Sequence, residues 1–148
     1  MAVDVTAQRE IARPREEVAT FATDPANDST WIVGISEAEM LTEPPVAVGT
    51  RVRRVASFLG RRIDYVMEVD RFDPGRRIVM RSIVSPFPMR VTYEFEDAPA
   101  GTRARIRVEG SAGGFYRMAG PLLAAGIRRG ITRDLETLRS LLESNDPD

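Results

Sequence analysis

The sequence predicts an α+β domain in which one strongly curved, seven-stranded antiparallel sheet wraps around a long C-terminal helix, with two short helices between the first and second strands. Three observations lead there. Residues 35–112 read as strand and turn throughout, and the breaks between strands are too short for parallel crossovers. The stretch VTYEFEDAPAGTRARIRVEG, residues 91–110, folds back on APAG into complementary halves. Glu96 falls opposite Arg103, Glu94 opposite Arg105 and Arg90 opposite Glu109, while Phe95, Tyr93 and Val91 meet Ala104, Ile106 and Val108 on a dry face. The segment available to cover that face is 115–144, where Leu123, Ile127, Ile131, Leu135, Leu138 and Leu142 recur at helical spacing.

In chain order, residues 3–11 alternate apolar and polar with period two, as a half-buried strand does. Residues 12–25 place Pro14 near a helix start and Glu16 and Glu17 in the first turn, where the helix dipole favours acids. Val18, Phe21 and Ala22 share one face of that helix, Asp24-Pro25 stops it, and 25–31 forms a second short helical or turn segment ending at Trp31. Six strands follow at about 35–42, 49–58, 61–73, 76–85, 88–97 and 102–112, separated by EPPVAVG, LGRR, DPGR, SPFP and APAG. The last helix could run ~40 Å at ~1.5 Å per residue, with a kink or break expected near Gly120-Pro121.

The outward charges predict which strands are neighbours. A turn pairing Leu59 with Arg62 would set Arg53 against Glu68 and Arg51 against Asp70; one pairing Asp73 with Arg76 would set Glu68 against Arg81 as well. Glu37 and Glu39 can reach Arg51 and Arg53, and Asp4 and Glu10 suit Arg103 to Arg107. Each exposed pair contributes only ~0.2–1 kcal/mol, so the ladder specifies register and neighbours more than it stabilises. It puts the first strand beside the last.

The 148 residues are enough for one domain, 1–148, with 144–148 expected to be a disordered tail. The chain has no Cys and no His, and all 21 of its basic residues are Arg. These absences exclude Ser-His-Asp and Cys-His nucleophile pairs, Schiff-base lysines, a Walker lysine and any zinc site built on His or Cys. Chemistry is left to carboxylates, Tyr, Ser/Thr, Arg and backbone groups, and neither a metal nor a cofactor is expected. A net charge of −1 with interleaved arginines argues against nucleic acid; even IRRGITR, 127–133, reads as a solvated helix face. No apolar run approaches the ~20 residues of a membrane span, and the N-terminus lacks the pattern of a signal peptide, so a cytoplasmic protein, monomer or homodimer, is expected.

Among inward residues, Arg54 sets a cation on the sheet's concave wall, level with Ser36 and Met67 in this register. It could anchor a carboxylate or polarise a ketone oxygen; the plainer reading has it near the rim with its head group in water. Tyr65 and Tyr93 can orient a ligand or simply pack with satisfied hydroxyls. Asp64, Glu68, Asp70, Glu94 and Glu96 fall on the outer face among arginines, Asp134 beside Arg133 reads as a helix-surface pair, and GSAGG at 110–114 as a strand-to-helix turn.

Several segments resemble the START/Bet v 1-like superfamily (SRPBCC), and within it the bacterial polyketide cyclase/dehydrase-like branch. They are REIARPREEVATFATDP (9–25), Trp31, VGTRVRR (48–54), LGRRIDYVMEV (59–69), GTRARIRVEG (101–110) and RDLETLRSLLE (133–143). The resemblance implies a helix-grip fold with a cavity between sheet and C-terminal helix that holds a hydrophobic small molecule. The Gly- and Ala-rich first half of the helix agrees, and a cavity of ~300–1,000 Å³ is expected. Trp31 at its mouth, Arg54, Phe58, Tyr65 and Met67 are expected to touch ligand, with Met80, Ser82, Met89, Val91, Tyr93 and Ile106 from later strands and Met118 and Leu122 from the helix start. Three roles remain open: a binder or carrier of an aromatic, polyketide-like or lipid molecule; a cyclase/dehydratase-type enzyme using Arg54 with Tyr65 or Tyr93; and, if Phe58, Phe95 and Phe115 fill the cavity, a protein-interaction module.

Overall fold

The structure, a computed structural model, describes residues 2–58, 60–85, 88–111 and 120–144. Strand β1 (Ala2–Ile11) leads into helix α1 (Arg15–Ala22), a 3-10 turn (Pro25–Asn27) and the single-turn helix α2 (Asp28–Trp31). Strands β2 (Ile35–Met40), β3 (Arg51–Phe58), β4 (Arg61–Asp73), β5 (Arg77–Val84), β6 (Met89–Ala98) and β7 (Gly101–Ser111) precede the long helix α3 (Gly120–Ser144). All seven strands form one sheet in the order β1-β7-β6-β5-β4-β3-β2, antiparallel throughout. The first strand does lie beside the last. Among the described residues no helix is long and apolar enough to cross a membrane.

The β6–β7 register matches the charge reading residue for residue, from Arg90↔Glu109 to Asp97↔Thr102. Beside β7, Arg107 reaches Asp4 of β1 at 2.7 Å. The β3–β4 register departs by two residues: the turn closes with Phe58 opposite Arg61, and Gly60 at φ 76° supplies the left-handed residue that a two-residue hairpin needs. A slip of two keeps every side chain on its face. It nonetheless changes partners, so Arg53 binds Asp64 at 3.1 and 2.6 Å and Arg51 meets Glu68. On the concave side it sets Arg54 opposite Tyr65 instead of Met67; on the other side the separate β2–β3 register sets Ala38, not Ser36, opposite Arg54.

Between β4 and β5 two departures cancel. Asp73 pairs with Arg77, not Arg76, and a bulge between Val69 and Arg71 restores Glu68 to a position opposite Arg81. Arg81 and Arg90 then face each other across β5 and β6, and Asp70, at the bulge, lies 4.0 and 3.5 Å from them.

The C-terminal half of α3 runs along β1, tied down by Arg9 to Glu136 at 2.6 Å and by the Ala12 N–H to Glu143 at 2.9 Å. Leu135, Leu138 and Leu142 enter the core with Val5, Ile11 and Phe95. Helix α3 is described from Gly120 onward; residues 112–119, including Phe115 and Met118, and with them the approach to the expected kink or break near Gly120-Pro121, lie outside the described residues. The first half of α3 spans the concavity with Gly126 and Gly130 in the apolar stripe, so the sheet finds no large side chain opposite it there.

Candidate functional site

A cavity of about 220 Å³ opens at that place. Its walls include Trp31 at the end of α2 and Ile32 just after it, Arg54 and Ala56 of β3, Ile63 and Tyr65 of β4, Met89, Val91 and Tyr93 of β6, and Ile106 and Val108 of β7. Helix α3 adds Gly126, Ile127, Gly130, Ile131, Arg133 and Asp134. It is smaller than the sequence led us to expect. Met67 and Met80, expected to touch ligand, are buried in the packed core and are not on its wall; Phe95, a candidate to fill the cavity, is buried in that core as well.

One end of this apolar chamber is ionic. Arg54 is 5% exposed and does not snorkel. Its Nε and Nη2 lie 3.0 and 2.9 Å from Oδ2 of Asp28, itself 1% exposed, and Nη2 is 3.5 Å from the Tyr93 hydroxyl. Burial pushes the Asp28 carboxyl upward, with Arg54 pulling against that shift. For Arg54 burial opposes the charge and the neighbouring Asp28 carboxylate favours it; the balance lies above the ordinary arginine value, so the guanidinium stays cationic. Burial also raises Tyr65 and Tyr93, so both stay protonated phenols across the physiological range. Trp31, 1% exposed, packs edge-on against Tyr93 at 5.5 Å between ring centroids. Its indole N–H is buried without a hydrogen-bond acceptor.

Asp134 overturns its reading as a helix-surface partner of Arg133. It is buried, lines the cavity, and its Oδ1 accepts the Val33 N–H at 2.9 Å, fastening α3 to the segment after α2. Burial pushes its carboxyl up to about 6, against the lowering effects of the Val33 N–H, Arg133 and Arg54. Helical periodicity already contained this signal, because 134 follows Ile127 by seven and Ile131 by three and so falls on the apolar stripe. Asp28 was also deducible in kind: an inward arginine needs a buried acid.

Of the other expected residues, Trp31, Tyr65, Met89, Val91, Tyr93 and Ile106 do line the cavity. Ser82 does not; its hydroxyl accepts the Met89 N–H at 2.9 Å and joins β5 to β6. Leu122 is corrected outright. It is 71% exposed, because the helix turns Leu123 into the core and its neighbour outward. The Phe58 side chain and Met118 lie outside the described residues. Among the described residues no group of three acidic side chains could hold a metal ion.

Sequence comparison agrees with this fold: residues 2–143 match the profile of the family described as "Polyketide cyclase / dehydrase and lipid transport". The chain belongs to that family. Its fold is shared by a Thermus thermophilus protein, at TM-score 0.82 and 21% identity over 97% of this chain and 99% of that one. The Zhui aromatase/cyclase from a Streptomyces species superposes at TM-score 0.82 with 19% identity, covering 97% of this chain and 94% of its own. A START superfamily protein from Mycobacterium smegmatis gives 0.80 with 13% identity over 98% and 99%. At such identities these likenesses establish the fold alone, the helix-grip fold shared with that START superfamily protein. No curated protein sequence matches the chain.

Proposed function

We propose that this family member binds a small, mainly apolar molecule in the cavity between the concave face of the sheet and α3. The observation that carries this reading is the cavity itself. Protein interiors rarely leave voids larger than a water molecule. Two glycines in one helix stripe keep that space open where Leu or Ile would close it. Native mass spectra of gently purified protein, set beside denatured spectra of the same sample, test the reading. A reproducible excess mass that vanishes on denaturation is expected. A clean apo mass that stays unchanged after soaking with aromatic ketones, fatty acids and sterols would remove it.

A second reading, a cyclase/dehydratase-type enzyme, draws on Asp134. A carboxyl whose proton affinity is tuned to about 6 inside an apolar cavity is suited to take a proton from carbon next to a carbonyl and to return one to a leaving hydroxyl. Tyr65 and Tyr93 supply hydrogen-bond donors for the developing enolate, whereas Arg54 is largely neutralised by Asp28. The test is deuterium exchange at the α-carbon of a bound aryl ketone, followed by NMR. Exchange that Asp134→Asn abolishes without weakening binding would support catalysis; exchange no faster than in buffer would leave binding alone.

A further inference from the structure

Resting on the binding role proposed above, we infer that the ligand is an uncharged molecule of one or two rings carrying an acceptor oxygen, a carbonyl or an ether, and that carboxylates are excluded. Charge is the first reason. Among the described residues, the buried ionic groups on this wall and just behind it are Arg54, Asp28 and Asp134. Both Arg54 contacts to Asp28 are short, so its charge already has a counterion. The set sums to zero when Asp134 is protonated and to −1 when it is ionised. None of these groups is a cation left to receive a ligand carboxylate, and a third carboxylate would meet repulsion as well as the several kcal/mol that desolvating an ion costs. Arg133, the other cation on the cavity wall, is exposed, so an acid could meet it only at the mouth.

The second reason is the direction of the hydrogen bonds. The Trp31 N–H is buried without an acceptor, in a ring that borders the cavity and packs edge-on against Tyr93. Tyr93 accepts from Arg54 through its oxygen and keeps its own proton to give. Two donors at one end of an apolar chamber are completed by one ligand oxygen, and leaving a buried donor unpaired is costly. The third reason is size. A cavity of ~150 Å³ holds benzene, so about 220 Å³ holds one or two rings with a short substituent and not a sterol skeleton.

Calorimetric titration of the full chain with matched probes tests this. 2-Acetylnaphthalene is the neutral acceptor, 2-ethylnaphthalene the same shape without an acceptor, 2-naphthoate the anion, acetophenone the one-ring ketone and 1-acetylpyrene the oversized one. The naphthyl ketone is expected to bind about five- to tenfold more tightly than the hydrocarbon, the scale of one net hydrogen bond. Naphthoate is expected on the order of a hundredfold weaker than the ketone. In Trp31→Phe the ketone's advantage over the hydrocarbon should shrink, a ratio that a general loss of stability does not set. Naphthoate binding as well as the ketone would overturn the charge argument, equal binding of ketone and hydrocarbon the acceptor argument, and tightest binding of acetylpyrene the size argument. If no probe binds, the binding role itself falls.

Discussion

Replacing Asp28 by Asn removes one charge from a pair that water barely reaches. Asp28 is 1% and Arg54 5% exposed, so the guanidinium left behind has neither a counterion nor bulk solvent. Breaking a buried pair in this way typically costs about 3–5 kcal/mol, far more than the ~0.2–1 kcal/mol of an exposed pair such as Arg53–Asp64 on the convex side. For a chain of this length that lowers the melting temperature by on the order of 10 °C. Urea denaturation at pH 7 followed by the emission of Trp31, the one tryptophan, would show the midpoint falling with the slope unchanged. The double variant Asp28→Leu with Arg54→Met should regain most of the loss, since apolar replacement of a buried pair is often neutral or better. An Asp28→Asn midpoint within about 1 kcal/mol of wild type would refute the reasoning and show that Arg54 reaches water.

Three further outcomes are expected. Asp134 has a folded-state value raised from 3.8 to about 6, so its unfolded form ionises first; stability falls as pH rises through that window, and the cost is complete above it. Asp134→Asn, which keeps an acceptor for the Val33 N–H, should flatten this slope and stabilise the protein at pH 8 by up to about 3 kcal/mol, with no gain below pH ~4; denaturation midpoints across pH decide it. A Cβ added at Gly130 meets no atom within 4 Å, so Gly130→Ala should gain up to about 1 kcal/mol of helix stability while weakening binding of a two-ring ketone; calorimetry and thermal melts together would expose a fall in both, which contradicts an open site. Gly101 has φ 145°, and a Cβ there would lie 2.6 and 2.7 Å from the carbonyl oxygens of Arg13 and Ile11; Gly101→Ala should cost about 2 kcal/mol or more, and a melt unchanged from wild type would contradict this packing.

The sheet was legible because its signals are local or pairwise. Period-two alternation sets faces, and complementary charge between 91–97 and 102–108 sets register over one short turn. Longer-range register was less so. Whether the β3–β4 hairpin closes at Phe58–Arg61 or at Leu59–Arg62 leaves every face unchanged, so the pattern of apolar residues could not distinguish the two. The site suffered most from this, because the slip moves Arg54 from beside Met67 to beside Tyr65.

The sequence by itself determined the fold class, the strand order, the covering helix and the exclusion of His, Cys and Lys chemistry, since each follows from periodicity, charge complementarity or composition. Only the tertiary structure decided that Arg54 is buried and already neutralised, that Asp134 faces inward, and that about 220 Å³ stays open. Asp28 and Arg54 stand 26 residues apart and Val33 and Asp134 101 apart. No local pattern links such pairs; they meet only when the sheet curls and α2 is packed between its edge and α3.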